Sequence, residues 1–577
     1  MKITIAQTAG FCMGVRRAVE MVLDTPGKQA GPIYTYGPLI HNPQVLDLLT
    51  ERGITILSEV PAQGEGTVLI RAHGVPPDIK KKLSRAGFNV LDAACPRVVR
   101  VQAIIKKHTR KGYTTIIVGN RDHPEVVGLL GYAGQDGHAV AGLNELKALP
   151  PFDRAIIVAQ TTQNEQLYRE ISKWTNNHYP NYKVFKTICN STSRRQAEVK
   201  RLTQTVDALV VVGGRESGNT QRLTEIAKKS GKPVFQIETE GDLDLSVFDK
   251  IQHVGITAGA STPNWMINRI FRTLEKISIK RGRSWYRALF ILRRALLLTN
   301  TYVALGAGCL CFACTNLQGF EEPFSYVLVA MFYVLSMHTL NNLIDSKADR
   351  FNDPGRAHFY QKYRPLLVIL AVTAGSYGLI TAATMGPIPF LVLLVMSLLG
   401  LSYNLRLIPA LVSQGHYRSI REIPGSKTVL ISLAWGIATA VFPALASVGN
   451  ISTATMVVFI WSTSLVFVRT AFFDILDMQG DRIVGRETIP LIYGQKSTTR
   501  ILKIVLVVLP IFLILAAAVS LVTNLGVALT ISPLFLFLVI VIHERGYMFP
   551  GIRLEFLVES GFILAGFIAL IWMMIEG

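Results

Sequence analysis

The sequence predicts two architectures in one chain: an α/β part of three similar lobes, then an all-α part that crosses a membrane about nine times. Three observations predict this. The chain has 577 residues, too many for one hydrophobic core. Half of them are apolar and mean hydropathy is +0.35, but the apolarity is uneven. Residues 1 to about 281 carry charges throughout. From about Ala288, apolar runs of roughly 20 residues alternate with short polar loops, as spanning helices require. Finally, short apolar strands recur in the first part, with helix-like polar segments between many of them. Domains are therefore placed at 1–281 and 282–577.

The strands lead into polar loops. Ile3-Thr4-Ile5-Ala6 runs toward Cys12, and Thr67-Val68-Leu69-Ile70 into Arg71-Ala72-His73-Gly74. Thr115-Ile116-Ile117-Val118 runs into Gly119-Asn120-Arg121-Asp122-His123-Pro124-Glu125, and Ala155-Ile156-Ile157-Val158 into Gln160-Thr161-Thr162. Ala208-Leu209-Val210-Val211-Val212 runs into Gly213-Gly214-Arg215-Glu216-Ser217-Gly218-Asn219, and Val254-Gly255-Ile256-Thr257 into Ala258-Gly259-Ala260-Ser261. Strands alternating with helices argue for parallel sheets. Ligands bind such sheets beyond the carboxyl ends of the strands, where all these polar residues fall. Gly213-Gly214 fails the G-x-G-x-x-G spacing and reads as a turn exposing backbone N–H groups to an anion.

Cys12, Cys95 and Cys189 stand 83 and 94 residues apart in the loop-like motifs Phe11-Cys12-Met13-Gly14, Asp92-Ala93-Ala94-Cys95-Pro96 and Ile188-Cys189-Asn190-Ser191. The near-regular spacing suggests three lobes, each giving one thiolate to a shared centre. Three thiolates can hold a four-iron cluster and leave one iron open to substrate. No long apolar leader opens Met1-Lys2-Ile3-Thr4-Ile5-Ala6, so this part is expected in the cytoplasm, where metal ligation is favoured over disulfides. A lone buried cysteine is usually a small hydrophobe; three that follow strands or are flanked by Pro and Gly argue for a site. His41, His73 and His123 lie near Gly or Pro in loops, and a shared site is the better reading for them too. A zinc enzyme is the chemical competitor. His123-Pro124-Glu125 matches the H-x-E of zinc deaminases, but their P-C-x-x-C element is missing.

These motifs, in order over residues 1 to about 275, resemble the 4-hydroxy-3-methylbut-2-enyl diphosphate reductase family, the last enzymes of the non-mevalonate isoprenoid route. The residues that carry the resemblance include Phe11-Cys12-Met13-Gly14-Val15, His41-Asn42, Ala72-His73-Gly74-Val75, Asp92-Ala93-Ala94-Cys95-Pro96, His123-Pro124-Glu125-Val126, Gln160-Thr161-Thr162, Ile188-Cys189, Ser217-Gly218-Asn219 and Thr257-Ala258-Gly259-Ala260-Ser261. The resemblance implies a [4Fe–4S] cluster on Cys12, Cys95 and Cys189. It implies that the substrate's allylic hydroxyl binds the open iron and leaves as water with two electrons and protons. Protonation of an allyl anion equivalent at either end then gives isopentenyl or dimethylallyl diphosphate. Glu125 is the implied acid, relayed through Thr161, and a carboxyl beside an anionic ligand should have its acid form favoured. His41, His73 and His123 would bind the diphosphate, with Ser217, Asn219 and Ser261 as donors. Some family members carry a second serine where this chain has Gly218, whose backbone N–H would serve alone. The electron donor would be a ferredoxin or flavodoxin.

The second part shows apolar spans at roughly 288–312, 325–340, 364–383, 387–403, 428–447, 454–473, 501–522, 525–542 and 555–575. Basic loops follow the second, fourth and sixth, whereas those after the third, fifth and seventh carry almost no charge. The positive-inside rule puts the basic loops and the α/β part in the cytoplasm and the carboxyl terminus outside. Net charge is +20. Much of it (Lys276, Lys280, Arg281, Arg283, Arg287, Arg293, Arg294) lies before or within the first span, the pattern of a membrane junction and not of nucleic-acid binding.

Two acidic motifs close spans two and six: Asn341-Asn342-Leu343-Ile344-Asp345-Ser346-Lys347-Ala348-Asp349 and Asp474-Ile475-Leu476-Asp477-Met478-Gln479-Gly480-Asp481. Spacings of three and four put the carboxylates on one helix face or its extension. Oxygen-only clusters suit Mg²⁺ with substrate phosphates. Over about 286–577 these motifs resemble the ubiquinone-biosynthesis-type (UbiA-like) intramembrane prenyltransferases, with patterns N-D-x-x-D-x-x-x-D and D-x-x-D-x-x-G-D. The first departs, with Asn342 for an aspartate. The resemblance implies Mg²⁺ held by Asn341, Asp345, Asp349, Asp474, Asp477 and Asp481. Lys347, Arg406, Lys427 and Arg486 would face a prenyl diphosphate, whose chain passes to an acceptor such as an aromatic ring. Cys309, Cys311 and Cys314 would spread around a helix and read as structural. The alternative is a non-catalytic anchor or diphosphate transporter, and Asn342 is the feature that favours it.

Overall fold

The computed structural model describes residues 1–577 apart from 28, 30, 281–283, 322–323, 345–352, 404–422, 424, 485–487, 546–550 and 577. The chain divides into two compact units, Met1–Gly282 and Arg283–Gly577.

The first unit holds three four-stranded sheets, every strand pair parallel. One sheet is built from β2 (Ile33–Tyr36), β3 (Ile54–Leu57), β4 (Thr67–Ile70) and β5 (Asn89–Asp92), in the order β3-β2-β4-β5. The next uses β6 (Thr114–Val118), β7 (Gly137–Val140), β8 (Ala155–Ala159) and β9 (Lys183–Val184), in the order β7-β6-β8-β9. The last uses β10 (Ala208–Val212), β11 (Val234–Ile237), β12 (His253–Ala258) and the chain's first strand, β1 (Lys2–Ile5), in the order β11-β10-β12-β1. Each sheet thus reads second-first-third-fourth, and β1 supplies the fourth strand of the last lobe. The inner strands are apolar at nearly every position and buried on both faces, as crossover helices require. Each lobe has its own core: Ile33, Leu49 and Leu69 in the first, Ile157, Tyr168 and Ile171 in the second, Val199, Leu209 and Leu223 in the third. In every lobe a cysteine follows the fourth strand.

The second unit is helical, and it carries fewer spans than the nine apolar stretches predict. Among the described residues, seven helices are long and apolar enough to cross a membrane, or eight if a bent pair counts as one. The stretch 288–312 is that pair: Arg287–Leu298 and Thr301–Leu317 meet at 73°. Asn300 stands between them in the left-handed region (φ 58°), which Asn tolerates better than most residues. Its amide donates to Thr339 Oγ1 (3.1 Å) and Tyr360 Oη (2.8 Å). The stretch 387–403 forms a helix of 16 residues, Pro387–Ser402; at 1.5 Å per residue that reaches about 24 Å, short of a ~30 Å hydrocarbon core. Trp435, Phe442, Trp461 and Phe562 lie in the unit's core. Cys311 and Cys314 are buried beside Ala313 in the helix Thr301–Leu317, while Cys309 packs on Gly566.

Candidate active sites in the two units

Each of the three cysteines caps a helix: Cys12 before Met13–Asp24, Cys95 before Pro96–Thr109 and Cys189 before Asn190–Thr205. A helix start leaves backbone N–H groups without intrahelical partners, and the Val15 N–H donates to Cys12 Sγ at 3.4 Å. The cysteine amides make equivalent bonds in the three lobes. Cys12 N–H donates to Ala260 O (3.1 Å), Cys95 N–H to Ala72 O (2.9 Å) and Cys189 N–H to Thr161 O (3.0 Å). All three thiols are free and half-exposed. A Cβ on Gly14 would lie 2.4 Å from Cys95 Sγ, so a glycine there lets the Cys12 helix reach Cys95. Burial pushes the Cys95 thiol up, the Arg97 N–H pulls it down, and Cys12 and Cys189 nearby push it up again. Three sulfurs gathered within electrostatic reach of Cys95 suit a cationic centre among them. Arg195, buried on the Cys189 helix, donates to Gly10 O (2.6 Å) and Ala258 O (3.1 Å) and lies within electrostatic reach of Cys12 and Cys189.

The loops that hold the cysteine amides also carry the polar candidates. Ala72 precedes His73, Ala260 precedes Ser261, and Thr161 is itself one. One nitrogen from each of His41, His73 and His123 lies within 4.8 Å of the others. Asn42, buried, caps the helix Pro43–Glu51 through Val45 N–H (3.1 Å) and so fixes His41. Burial holds all three histidines below their ordinary pKa, Arg71 lowers each further, and His123 falls to about 4. They are neutral at pH 7. His123 Nδ1 accepts the Glu125 N–H at 3.1 Å, so its own proton sits on Nε2. That nitrogen faces Gly218, where a Cβ would lie 3.3 Å away. A ring held in this tautomer offers an N–H to an anion more readily than a lone pair to zinc.

His41 Nε2, His73 Nδ1 and both side-chain atoms of Asn219 are buried without a partner. Asn219 sits in the first turn of Gly218–Lys228, whose N-cap is Ser217. Ser261 Oγ bonds His41 O (3.1 Å) and Ser217 Oγ (3.3 Å). Orphaned polar atoms from the first and third lobes, joined by His123 from the second, therefore gather at a helix N-terminus, an arrangement suited to a phosphate. Glu125 is 2% exposed. Thr161 N–H donates to its Oε1 (2.6 Å) and Thr161 Oγ1 to its Oε2 (2.9 Å). Burial lifts the carboxyl to about 7 against both bonds. Thr161 thus joins the acid to the Cys189 amide.

In the second unit, Asp474, Asp477 and Asp481 share a face of the helix Thr453–Val484. Asp474 is buried, accepts from Thr428 Oγ1 and lies 3.9 Å from Lys427 Nζ. Asn341 and Asn342 sit in the last turn of Phe324–Ile344. Asn342 Nδ2 donates to Asn300 Oδ1 (3.3 Å) and Tyr360 Oη (3.2 Å), so its amide braces the bent pair. Asp345, Lys347, Asp349, Arg406 and Arg486 lie outside the described residues.

The family model described as LytB protein matches residues 3–275, and that of the UbiA prenyltransferase family matches 301–547. Over 280 residues the chain is 39% identical to the 4-hydroxy-3-methylbut-2-enyl diphosphate reductase of Alkaliphilus oremlandii, covering 48% of this chain and 100% of that protein. It is 41% identical to the Aquifex aeolicus reductase over 283 residues, 48% of this chain and 96% of that protein. The chain belongs to the 4-hydroxy-3-methylbut-2-enyl diphosphate reductase family. Residues 301–547 add a UbiA-type prenyltransferase domain. Similar solved structures include the Plasmodium falciparum E-1-hydroxy-2-methyl-but-2-enyl-4-diphosphate reductase (25% identical, TM-score 0.45, 49% of this chain and 89% of that chain). A UbiA homolog from Archaeoglobus fulgidus bound to GPP and Mg²⁺ is another (14% identical, TM-score 0.36, 48% and 98%).

Sequence reasoning passed over several residues at these sites. In the reductase unit, Arg71 biases all three histidines, and its one signal was its place two residues before His73. Glu198 accepts Gln7 N–H (2.7 Å) and Thr8 N–H (2.8 Å), and with Arg195 it fastens the Cys12 loop to the Cys189 helix; no sequence pattern announces that. In the prenyltransferase unit, Arg469 is buried and bonded to Glu559 from Nε (2.9 Å) and Nη2, and Trp435 N–H donates to His338 Nε2 (3.2 Å). Ionisable residues inside apolar helices were the available signal.

Proposed function

We propose that the first unit reduces 4-hydroxy-3-methylbut-2-enyl diphosphate to isopentenyl and dimethylallyl diphosphate, and that the second transfers a prenyl group to an acceptor. The observation that carries the first reading is the meeting of three helix-capping cysteines with a neutral-histidine anion site through shared backbone bonds. Cys12, Cys95 and Cys189 are soft donors for a [4Fe–4S] cluster, which when bound would supply electrons and a position for the allylic hydroxyl. His41, His73 and His123 would donate N–H groups to the diphosphate, joined by Ser217, Asn219, Ser261 and the Gly218 N–H. Glu125, protonated near pH 7, would deliver a proton through Thr161 to the departing hydroxyl or the carbon chain. Two electrons and two protons enter, and water leaves. A ferredoxin or flavodoxin would supply the electrons.

In the second unit the oxygen donors Asp474, Asp477 and Asp481, with Asn341, Asp345 and Asp349, fit Mg²⁺ and a diphosphate, and Lys347, Arg406, Lys427 and Arg486 add positive charge. Mg²⁺ would assist departure of the diphosphate. The charge of the basic loops favours a cytoplasmic position for the reductase unit.

Anaerobic purification of the full chain in detergent tests the reductase reading. A brown protein with about four irons per chain, lost in Cys95→Ala, is expected. A colourless protein with stoichiometric zinc would overturn it. For the second unit, Asp345→Ala and Asp477→Ala should abolish prenyl transfer. Transfer that survives both would leave an anchor.

A further inference from the structure

Arg195 is a buried charge without a carboxylate partner. It is 3% exposed and lies in the second turn of the helix that Cys189 caps. Nη1 and Nη2 donate to the carbonyls of Ala258 and Gly10, and Nε is buried without a partner. Among the described residues Arg195 forms no ion pair with a carboxylate. Glu198 follows on the same helix, but its oxygens accept from Gln7 N–H, Thr8 N–H and Thr8 Oγ1 instead. Enclosing an ionised group without an opposite charge destabilises a fold. Joining two loops needs N–H donors but no charge. The carbonyls that Arg195 holds lie beside the cysteine loops: Gly10 shortly precedes Cys12, and Ala258 shortly precedes Ala260, whose own carbonyl takes the Cys12 amide. After burial, the largest influence on the guanidinium is Cys12, followed by Glu198 and Cys189. Arg17 offers a comparison. It lies on the helix that Cys12 caps and donates to Ala94 O, just before Cys95, at 3.0 Å, but it is only half-buried. Water screens the charge of Arg17, whereas that of Arg195 acts through a low-dielectric interior.

We infer that Arg195 is the fixed counter-charge of the three-cysteine centre and favours its electron-rich state. The inference rests on the reductase reading and deepens it. Three thiolates outweigh the charge of an oxidised [4Fe–4S] core, so the loaded site is an anion, and an electron accepted there makes it more negative. A cation held nearby in a water-poor interior stabilises the reduced form more than the oxidised one, which raises the reduction potential. The electron itself comes from a one-electron reductant outside the chain. Arg195 sets how mild that reductant can be.

The test is an anaerobic redox titration of the full chain in detergent, without substrate, followed by the visible absorbance of the iron centre. Arg195→Gln keeps an N–H donor and removes the charge. Arg195→Lys keeps the charge and changes the shape of the donor. Arg17→Gln cuts the comparison contact. Arg195→Gln should shift the equilibrium toward the oxidised form by about tenfold or more, a fall of about 59 mV for one electron. Arg195→Lys and Arg17→Gln should each stay within about threefold of wild type. An unchanged potential in Arg195→Gln overturns the inference. An equal fall in Arg195→Lys or Arg17→Gln assigns the effect to loosened loops and also overturns it. Where Arg195→Gln binds no iron, iron content decides: full loading in Arg195→Lys supports the counter-charge, and equal loss in both overturns it. Wild type with no iron-dependent absorbance and no turnover on reduced methyl viologen would sink the reductase reading itself, a failure distinguishable from all of these.

Discussion

Glu125 is a carboxyl whose acid form is favoured by burial and whose two oxygens are held by Thr161. Replacing it with Gln preserves shape and removes the proton, so Glu125→Gln should lower kcat by about 10²–10⁴ with little change in KM. Stability gives an independent readout. The folded pKa of about 7 lies above the ordinary 4.5, so the contribution is full below 4.5 and is lost as pH rises through 7, by about 3 kcal/mol in all. The histidines work in the opposite sense: held neutral in the fold, they cost stability as pH falls below 6.5. Subtracting Glu125→Gln from wild type in thermal unfolding against pH isolates the carboxyl, and a flat difference between pH 5 and 8 would contradict its buried titration. Gly14→Ala tests the cysteine geometry, because its Cβ would need the space of Cys95 Sγ; iron content should fall while secondary structure is kept. Cysteines and histidines were visible in the sequence because they are rare and sit beside Gly and Pro. Arg71 and Arg195 were not, since an arginine reads as solvated until the fold shows what surrounds it.

At the scale of elements, apolarity located the helices but not their breaks. A single Asn between apolar runs scarcely alters a window average, yet Asn300 turns the chain by 73°. The bend persists because its polar group is satisfied by Thr339, Tyr360 and Asn342. The departure from the family pattern at Asn342 therefore has a structural consequence: the amide is a donor where a carboxylate could only accept. Asn342→Ala and Tyr360→Phe should each lower the unfolding temperature of the full chain, by about 1–3 kcal/mol in stability. Their effects should couple by about 0.5–3 kcal/mol in a double-mutant cycle; strict additivity would mean that the two do not act together. The parallel strands were legible from apolar runs ending in Gly-rich loops. Their sheet order was not, because β1 pairs with β12 some 250 residues later, and nothing in a local pattern records that partner.

For the whole molecule, the change in composition near residue 281 falls beside the division into two compact units, Met1–Gly282 and Arg283–Gly577, and each unit has a core of its own. Curated relatives at 39–41% identity are matched over 96–100% of their length by the first half of this chain. A protein ended after residue 282 should therefore fold without detergent, bind iron through Cys12, Cys95 and Cys189, and turn over with viologen at the rate of the full chain. Fusion then has to act through location. The first unit's product is the building block of the second's donor, but extending it to a long chain needs a separate synthase. Direct transfer between the two sites is thus not the simplest use of the link; holding the reductase at the membrane is. The discriminating comparison sets the fused chain against equal amounts of the two separated units in vesicles supplied with that synthase. Higher coupled flux from the fused chain, persisting when a soluble trap consumes free five-carbon diphosphates, would show channelling. Equal flux, falling alike with the trap, would leave tethering as the reason for one chain.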